Sequence, residues 1–83
     1  MDQTQKFLEM LQSPKSSKRY MGCEELRVAE KSSEEAVNAL EQLIHDPDPG
    51  VAYAAVRALN SEANASVLLS LGRRPPELVK QAP

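Results

Sequence analysis

The sequence predicts an all-α chain, a short solenoid of about five helices, and three observations carry that expectation. Apolar residues recur at helical spacing along the chain, with no strand-like alternation of useful length. Aromatic residues are confined to Phe7, Tyr20 and Tyr53, so the core must come from Leu, Val, Ile, Ala and Met, which suit closely packed helices. The chain also matches itself at an offset of about 33 residues.

The clearest helix is expected over Glu34 to His45. Ala36, Val37, Leu40, Leu43 and Ile44 fall at i, i+1, i+4, i+7 and i+8, one face of a helix. Ser32 or Ser33 can cap its start, Glu34 and Glu35 suit the positive end of the dipole, and Asp46-Pro47 stops it. The next helix starts at Pro49 behind Asp48 as N-cap and runs to Leu59, ending near Asn60 or Ser61. Its Val-Ala-Tyr-Ala-Ala-Val-Arg-Ala-Leu sequence is apolar nearly all round, so it is expected to be buried, with alanines admitting close neighbours.

Upstream, Thr4 to Gln12 places Phe7, Leu8 and Leu11 on one face and ends at Ser13-Pro14. Lys18 to about Lys31 forms a longer helix expected to bury Tyr20, Cys23, Leu26 and Ala29. Asn64 is expected to cap a last helix over Ala65 to Leu71, with Gly72 as its C′ residue and Pro75-Pro76 barring continuation. These elements place a helical repeat domain at 1–72 and an extended or disordered tail at 73–83.

Pro14, Tyr20 and Leu26 precede Pro47, Tyr53 and Leu59 by 33 positions, and Leu8 and Leu11 precede Leu40 and Leu43 by 32. Each copy is the end of one helix, a proline turn, and a following helix. Gly22 stands where the second copy has Ala55; a mid-helix glycine costs about 1 kcal/mol against alanine, so a tight contact is expected there.

The stretch ALEQLIHDPDPGVAYAAVRAL resembles a HEAT repeat, specifically the short bacterial HEAT-like type of phycobilisome lyases. Asp46, Pro47, Asp48, Pro49, Val51, Ala54, Ala55, Ala58 and Leu59 match that pattern in place; the first copy is degenerate, with Ser-Pro-Lys-Ser-Ser as its turn. The family's arginine after the helix-initial valine is Ala52 in the second copy and Arg19 in the first. The resemblance covers residues 7–71. It implies a short right-handed α–α superhelix, a HEAT-like solenoid in which B helices line a concave, partner-gripping face. The central B helix offers Glu34, Glu35, Asn38, Glu41 and Gln42 there, with His45 beyond, as protein-binding candidates.

Composition narrows the functional classes. The formal net charge of −2 is too small to mark a nucleic-acid or membrane surface. One cysteine, Cys23, excludes an internal disulfide and a multi-cysteine metal site; it matches Val56 in the other copy and is expected in the core. His45 has no second histidine to complete a zinc site and suits a helix C-terminus. Tyr20 and Tyr53 are expected on the helix surface, their rings against neighbours, and Asp46 and Asp48 act as turn caps. Lys15, Lys18, Arg19, Arg73 and Arg74 could meet phosphates only if brought to one face, so nucleic-acid binding is not expected. The N-terminal MDQTQKFLEM is unlike a secretory leader and no apolar run approaches a membrane span, which gives a soluble, cytoplasmic reading.

The function expected is therefore a non-catalytic protein-binding scaffold or adaptor, without cofactor or metal, acting on an unidentified protein partner. The family likeness adds two alternatives, an accessory subunit of a bilin lyase or related tetrapyrrole-handling complex and, ranked below it, a nucleic-acid-binding HEAT-like module. Repeat arrays need about three units for independent stability, so good end caps, self-association or a larger assembly is expected to make up the shortfall. Met10, Leu68 and Leu78–Val79 are the candidate contacts for self-association.

Overall fold

A computed structural model describes residues 3–77, and its described residues form five helices and no strand: α1 (Gln3–Leu11), α2 (Ser16–Val28), α3 (Glu34–Leu43), α4 (Pro49–Leu59) and α5 (Glu62–Ser70). They pack in two layers. α2 and α4 lie against each other in one layer, and α1, α3 and α5 line up in the other, with α4 touching α2, α3 and α5. This is the arrangement the 33-residue repeat calls for, two A helices over three B helices.

Local chemistry sets the boundaries. Ser33 caps α3 by accepting from the Ala36 N–H, and Glu34 and Glu35 fill its first turn. Asp48 caps α4, accepting from the N–H of Gly50 at 2.8 Å and of Val51 at 3.3 Å, and Pro49 opens the helix where no N–H partner is needed. Lys15 holds the matching place before α2 and supplies no side-chain cap. That difference is the degeneracy of the first copy in structural form. At the far end, Gly72 takes φ +76°, while the N–H of Arg73 bonds Leu68 O and that of Gly72 bonds Leu69 O, a Schellman closure that turns the chain back.

The core is built from Leu11, Cys23, Leu26, Val37, Leu40, Val51, Leu59 and Leu68, with Ala36, Ala54, Ala55 and Ala58 where helices come closest. Cys23 is buried as expected, and burial pushes its thiol up to about 12, so it serves as a small apolar side chain. Gly22 is buried because α1 leaves no room: a Cβ there would lie 3.0 Å from Leu11 Cδ2 and 3.1 Å from Met10 Cβ.

Four expectations need correction. α2 stops at Val28, two residues past the position matching Leu59, and the chain then loops through Ala29–Ser33, whereas α4 and α5 are joined by Asn60 and Ser61 alone. Tyr20 lies on the outside, 41% exposed, as its surface placement expects and against the burial expected from helix spacing, and Ala29 lies beyond the helix rather than on its buried face. Ser61, not Asn64, caps α5, which therefore begins at Glu62. Leu68 is fully buried, because it shares with Asn64 the stripe of α5 that faces inward; Leu69 and Leu71 are the exposed leucines of that end. Met10 is half-buried against Gly22, and Leu78–Val79 lie outside the described residues.

Among the described residues Asn64 is the buried polar one, and it is fully satisfied. Its Nδ2 donates to Leu26 O at 3.0 Å and to Ala58 O at 2.8 Å, with Ser61 Oγ at 2.9 Å, and its Oδ1 accepts from the Ser32 hydroxyl. Leu26 and Ala58 each belong to the last turn of an A helix, where carbonyls have no intrahelical partner. One side chain from α5 thus caps both A helices and ties them to the α2–α3 loop.

A second polar clamp joins the A helices at their other end. Arg19 forks onto Asp46, Nε to Oδ2 at 2.8 Å and Nη2 to Oδ1 at 3.1 Å, and its Nη1 donates to Ser13 O at 2.9 Å. Asp46 also accepts from the Asp48 N–H at 2.9 Å, while Ser13 accepts from Lys15 N–H in the equivalent turn. Asp46 is therefore more than a local cap. The copies differ at both partners of the fork: Ser13 matches Asp46, and Ala52 matches Arg19.

Gly22→Ala is expected to lower stability by about 1 kcal/mol in chemical denaturation, because displacing α1 outweighs the gain in helix propensity. A stabilised variant would show that Leu11 and Met10 yield freely. Asn64→Ala is expected to cost about 2 kcal/mol by leaving the buried Leu26 carbonyl unpartnered, while the Ala58 carbonyl keeps the Ser61 N–H at 3.0 Å. A loss under about 1 kcal/mol would mean other donors replace it.

Candidate functional site

α3 is amphipathic, and its inward row consists of Ala36, Val37 and Leu40, each 1% exposed or less. The opposite row holds the five candidates. Glu34, Glu35, Asn38 and Gln42 are exposed, Glu41 is half-buried, and His45 is exposed just past the helix end. Residues 34, 35, 38, 41 and 42 follow the i, i+1, i+4, i+7, i+8 spacing, so they share one face of a single helix.

The chain places a cation on that face. The Schellman turn at Gly72 swings Arg73 back over α3, where Nη1 donates to Glu41 Oε1 at 2.5 Å and Nη2 to Asn38 Oδ1 at 2.9 Å. The structure thus brings Asn38 and Glu41 together around one guanidinium, while Glu34, Glu35 and Gln42 remain solvent-facing. Arg73 was legible in the sequence only as a cation following a C′ glycine. Nothing in the spacing announced its target.

The opposite, A-layer surface carries the repeated tyrosines. Tyr20 and Tyr53 are exposed to nearly the same extent, 41% and 40%. Tyr20 Oη donates to Glu24 Oε1 at 3.4 Å, Arg27 Nε donates to Glu24 Oε2 at 2.6 Å, and Arg57 lies 3.9 Å from Glu24 with its Cζ 5.9 Å from the Tyr53 ring centroid. The Arg27 hydrogen bond holds the Glu24 carboxyl below the usual carboxylate range, with Arg57 adding to the effect. Equivalent positions thus take equivalent exposure, and Glu24 with Arg57 bridges the two copies.

Two of the five cations that could contact phosphate are already paired. Arg19 is spent on Asp46 and Arg73 on Glu41, leaving Lys15, Lys18 and Arg74 exposed among the five. Among the described residues no three His, Cys, Asp or Glu side chains gather where a metal could sit. No helix among them is long and apolar enough to cross a membrane.

Two stacked helical hairpins with a shared A-helix contact and a row of polar side chains on the central B helix define an α-helical repeat protein. The chain matches the family model for HEAT repeats over residues 4–82, and it belongs to that family. The match is to HEAT repeats as a whole and does not extend to the narrower likeness to phycobilisome lyases. Comparison with curated proteins and with solved structures gave no match. HEAT repeats commonly serve as protein-interaction scaffolds and are typically non-catalytic.

The part-buried fork at Asp46 gives the fold a pH signature. The Arg19 hydrogen bond, aided by the Asp48 N–H, lowers the Asp46 carboxyl from its ordinary value. A depressed folded-state value means the contribution is complete above the unfolded value, about pH 4, and is lost as pH falls through the folded one. Asp46→Asn is expected to be less stable than wild type at neutral pH and to converge with it as pH falls through the lowered folded-state value. Parallel unfolding midpoints of the two proteins from neutral to acid pH would show that the pair contributes nothing.

Proposed function

We propose that this chain is a non-catalytic adaptor that binds a protein partner through the outer row of α3. The observation that carries the reading is that this row lies on the side of α3 away from the core yet already coordinates a side chain from elsewhere in the chain. Packing accounts for Ala36, Val37 and Leu40 and makes no use of Glu34, Glu35, Asn38 or Gln42. Family membership supports the same reading, since HEAT repeats generally mediate protein–protein interaction. A cytoplasmic setting belongs to this proposal. Self-association through the exposed Leu69 and Leu71 is a secondary part of it.

Asn38→Lys combined with Gln42→Lys tests the site, because both positions are exposed and the core is untouched. In a pull-down read by quantitative mass spectrometry, a partner recovered by wild type is expected to fall at least about tenfold with the variant, the loss from ~1.4 kcal/mol of misplaced charge. Equal recovery by both proteins would move the interface off α3.

A further inference from the structure

We propose that the outer row of α3 docks an extended, arginine-bearing segment of the partner, and that Arg73 occupies that place in the free chain. The inference rests on the α3 reading and specifies the chemistry of what is bound.

Charge gives the first argument. α3 contains Glu34, Glu35 and Glu41 and no Lys or Arg, and the cation on its surface comes from beyond α5. The second argument is geometric. Glu41 and Asn38 are one helical turn apart, so a carboxylate oxygen and an amide oxygen stand side by side, and Arg73 meets both with two terminal nitrogens of one planar group. A guanidinium supplies that fork, whereas an ammonium supplies a single compact charge. The acceptor pair that Arg73 meets is therefore suited to a guanidinium.

Helix dimensions fix the form of the ligand. The Glu34/Glu35 pair lies about five residues from the Asn38/Glu41 pair, roughly 7 Å along the axis. Alternate residues of an extended strand point the same way and are separated by about 7 Å. An Arg-x-Arg segment thus reaches both pairs at once, while Arg73 as a lone internal ligand reaches one. Two linked contacts displace one by effective concentration. Because Arg73 is about one-third exposed, it is a weak competitor and imposes a threshold rather than a block.

The test is an NMR titration of the full chain with an (Arg-Gly)4 peptide at low salt, alongside a (Lys-Gly)4 peptide. Arg73→Ala, Arg74→Ala and Glu41→Gln variants run in parallel, and their spectra also report whether each is folded. Arg73→Ala is expected to bind the arginine peptide about three- to fivefold more tightly than wild type, as removal of an exposed ion pair allows. Arg74→Ala, which loses the same charge next door, should match wild type; Glu41→Gln and the lysine peptide should bind more weakly. Peptide shifts should centre on Asn38 and Glu41. Equal gains from Arg73→Ala and Arg74→Ala, insensitivity to Glu41→Gln, shifts away from α3, or no binding would each overturn the proposal. Such a result beside α3-dependent recovery in the pull-down would remove the arginine chemistry alone, whereas a failed pull-down would remove the α3 reading itself.

Discussion

The close approach of α2 and α4 is the constraint on which the rest of the structure depends. A chain of 83 residues has little apolar area to spend, and the two A helices can share a core only if their side chains are small where they meet. Ala54, Ala55 and Ala58 satisfy that demand in α4, and Gly22 meets the same demand on the side of α2 that faces α1. Small side chains permit proximity but do not fix register, since alanine surfaces slide. Register comes from polar contacts at both ends of the pair, Arg19 with Asp46 at one and Asn64 with Leu26 and Ala58 carbonyls at the other. Two helices pinned at both ends form a plate, and α3 is mounted on its α4 side.

That mounting explains the polar row on α3. Val37 and Leu40 lock the helix to the plate, which sets the outward direction of Asn38 and Glu41 to within the freedom of their own rotamers. The return of the chain after Gly72 then needs no long reach to lay a guanidinium on them, because the Schellman closure has already reversed its course. Rigidity of the support and reversal of the chain end together set two acceptors side by side under one guanidinium.

Most of the fold was legible in the sequence, and the reasons are local. Ser33, Asp48-Pro49 and Gly72 announce helix ends through their own backbone and side-chain chemistry, and Val37 and Leu40 announce a face through spacing. Asn64 was misjudged because asparagine before an apolar run suits an N-cap, and its partners, Leu26 and Ala58, are carbonyls that carry no side-chain signature. Its position four residues before Leu68 was the available clue, since both lie on one stripe. Leu68 and Leu69 could not be told apart by composition, as the first turn of α5 decides which one faces inward. At the candidate site the row on α3 was visible as a helical face, whereas Arg73 was not, because a contact over 32 residues through a reversed chain leaves no periodic trace.

The mismatch between the two copies at the Arg19–Asp46 fork bears on how such hairpins can be concatenated. The fork is a directional coupling: one hairpin offers the guanidinium and the next offers the carboxylate. Here the donor site of the second hairpin is Ala52 and the acceptor site of the first is Ser13, so the coupling is made once and both outward-facing halves are blank. A copy stacked on either end in the same register would meet a methyl where it needs a cation, or a hydroxyl where it needs an anion. A further copy stacked in register would thus lack this polar linkage, and the fork marks the junction between these two hairpins as chemically distinct from any other contact they could make.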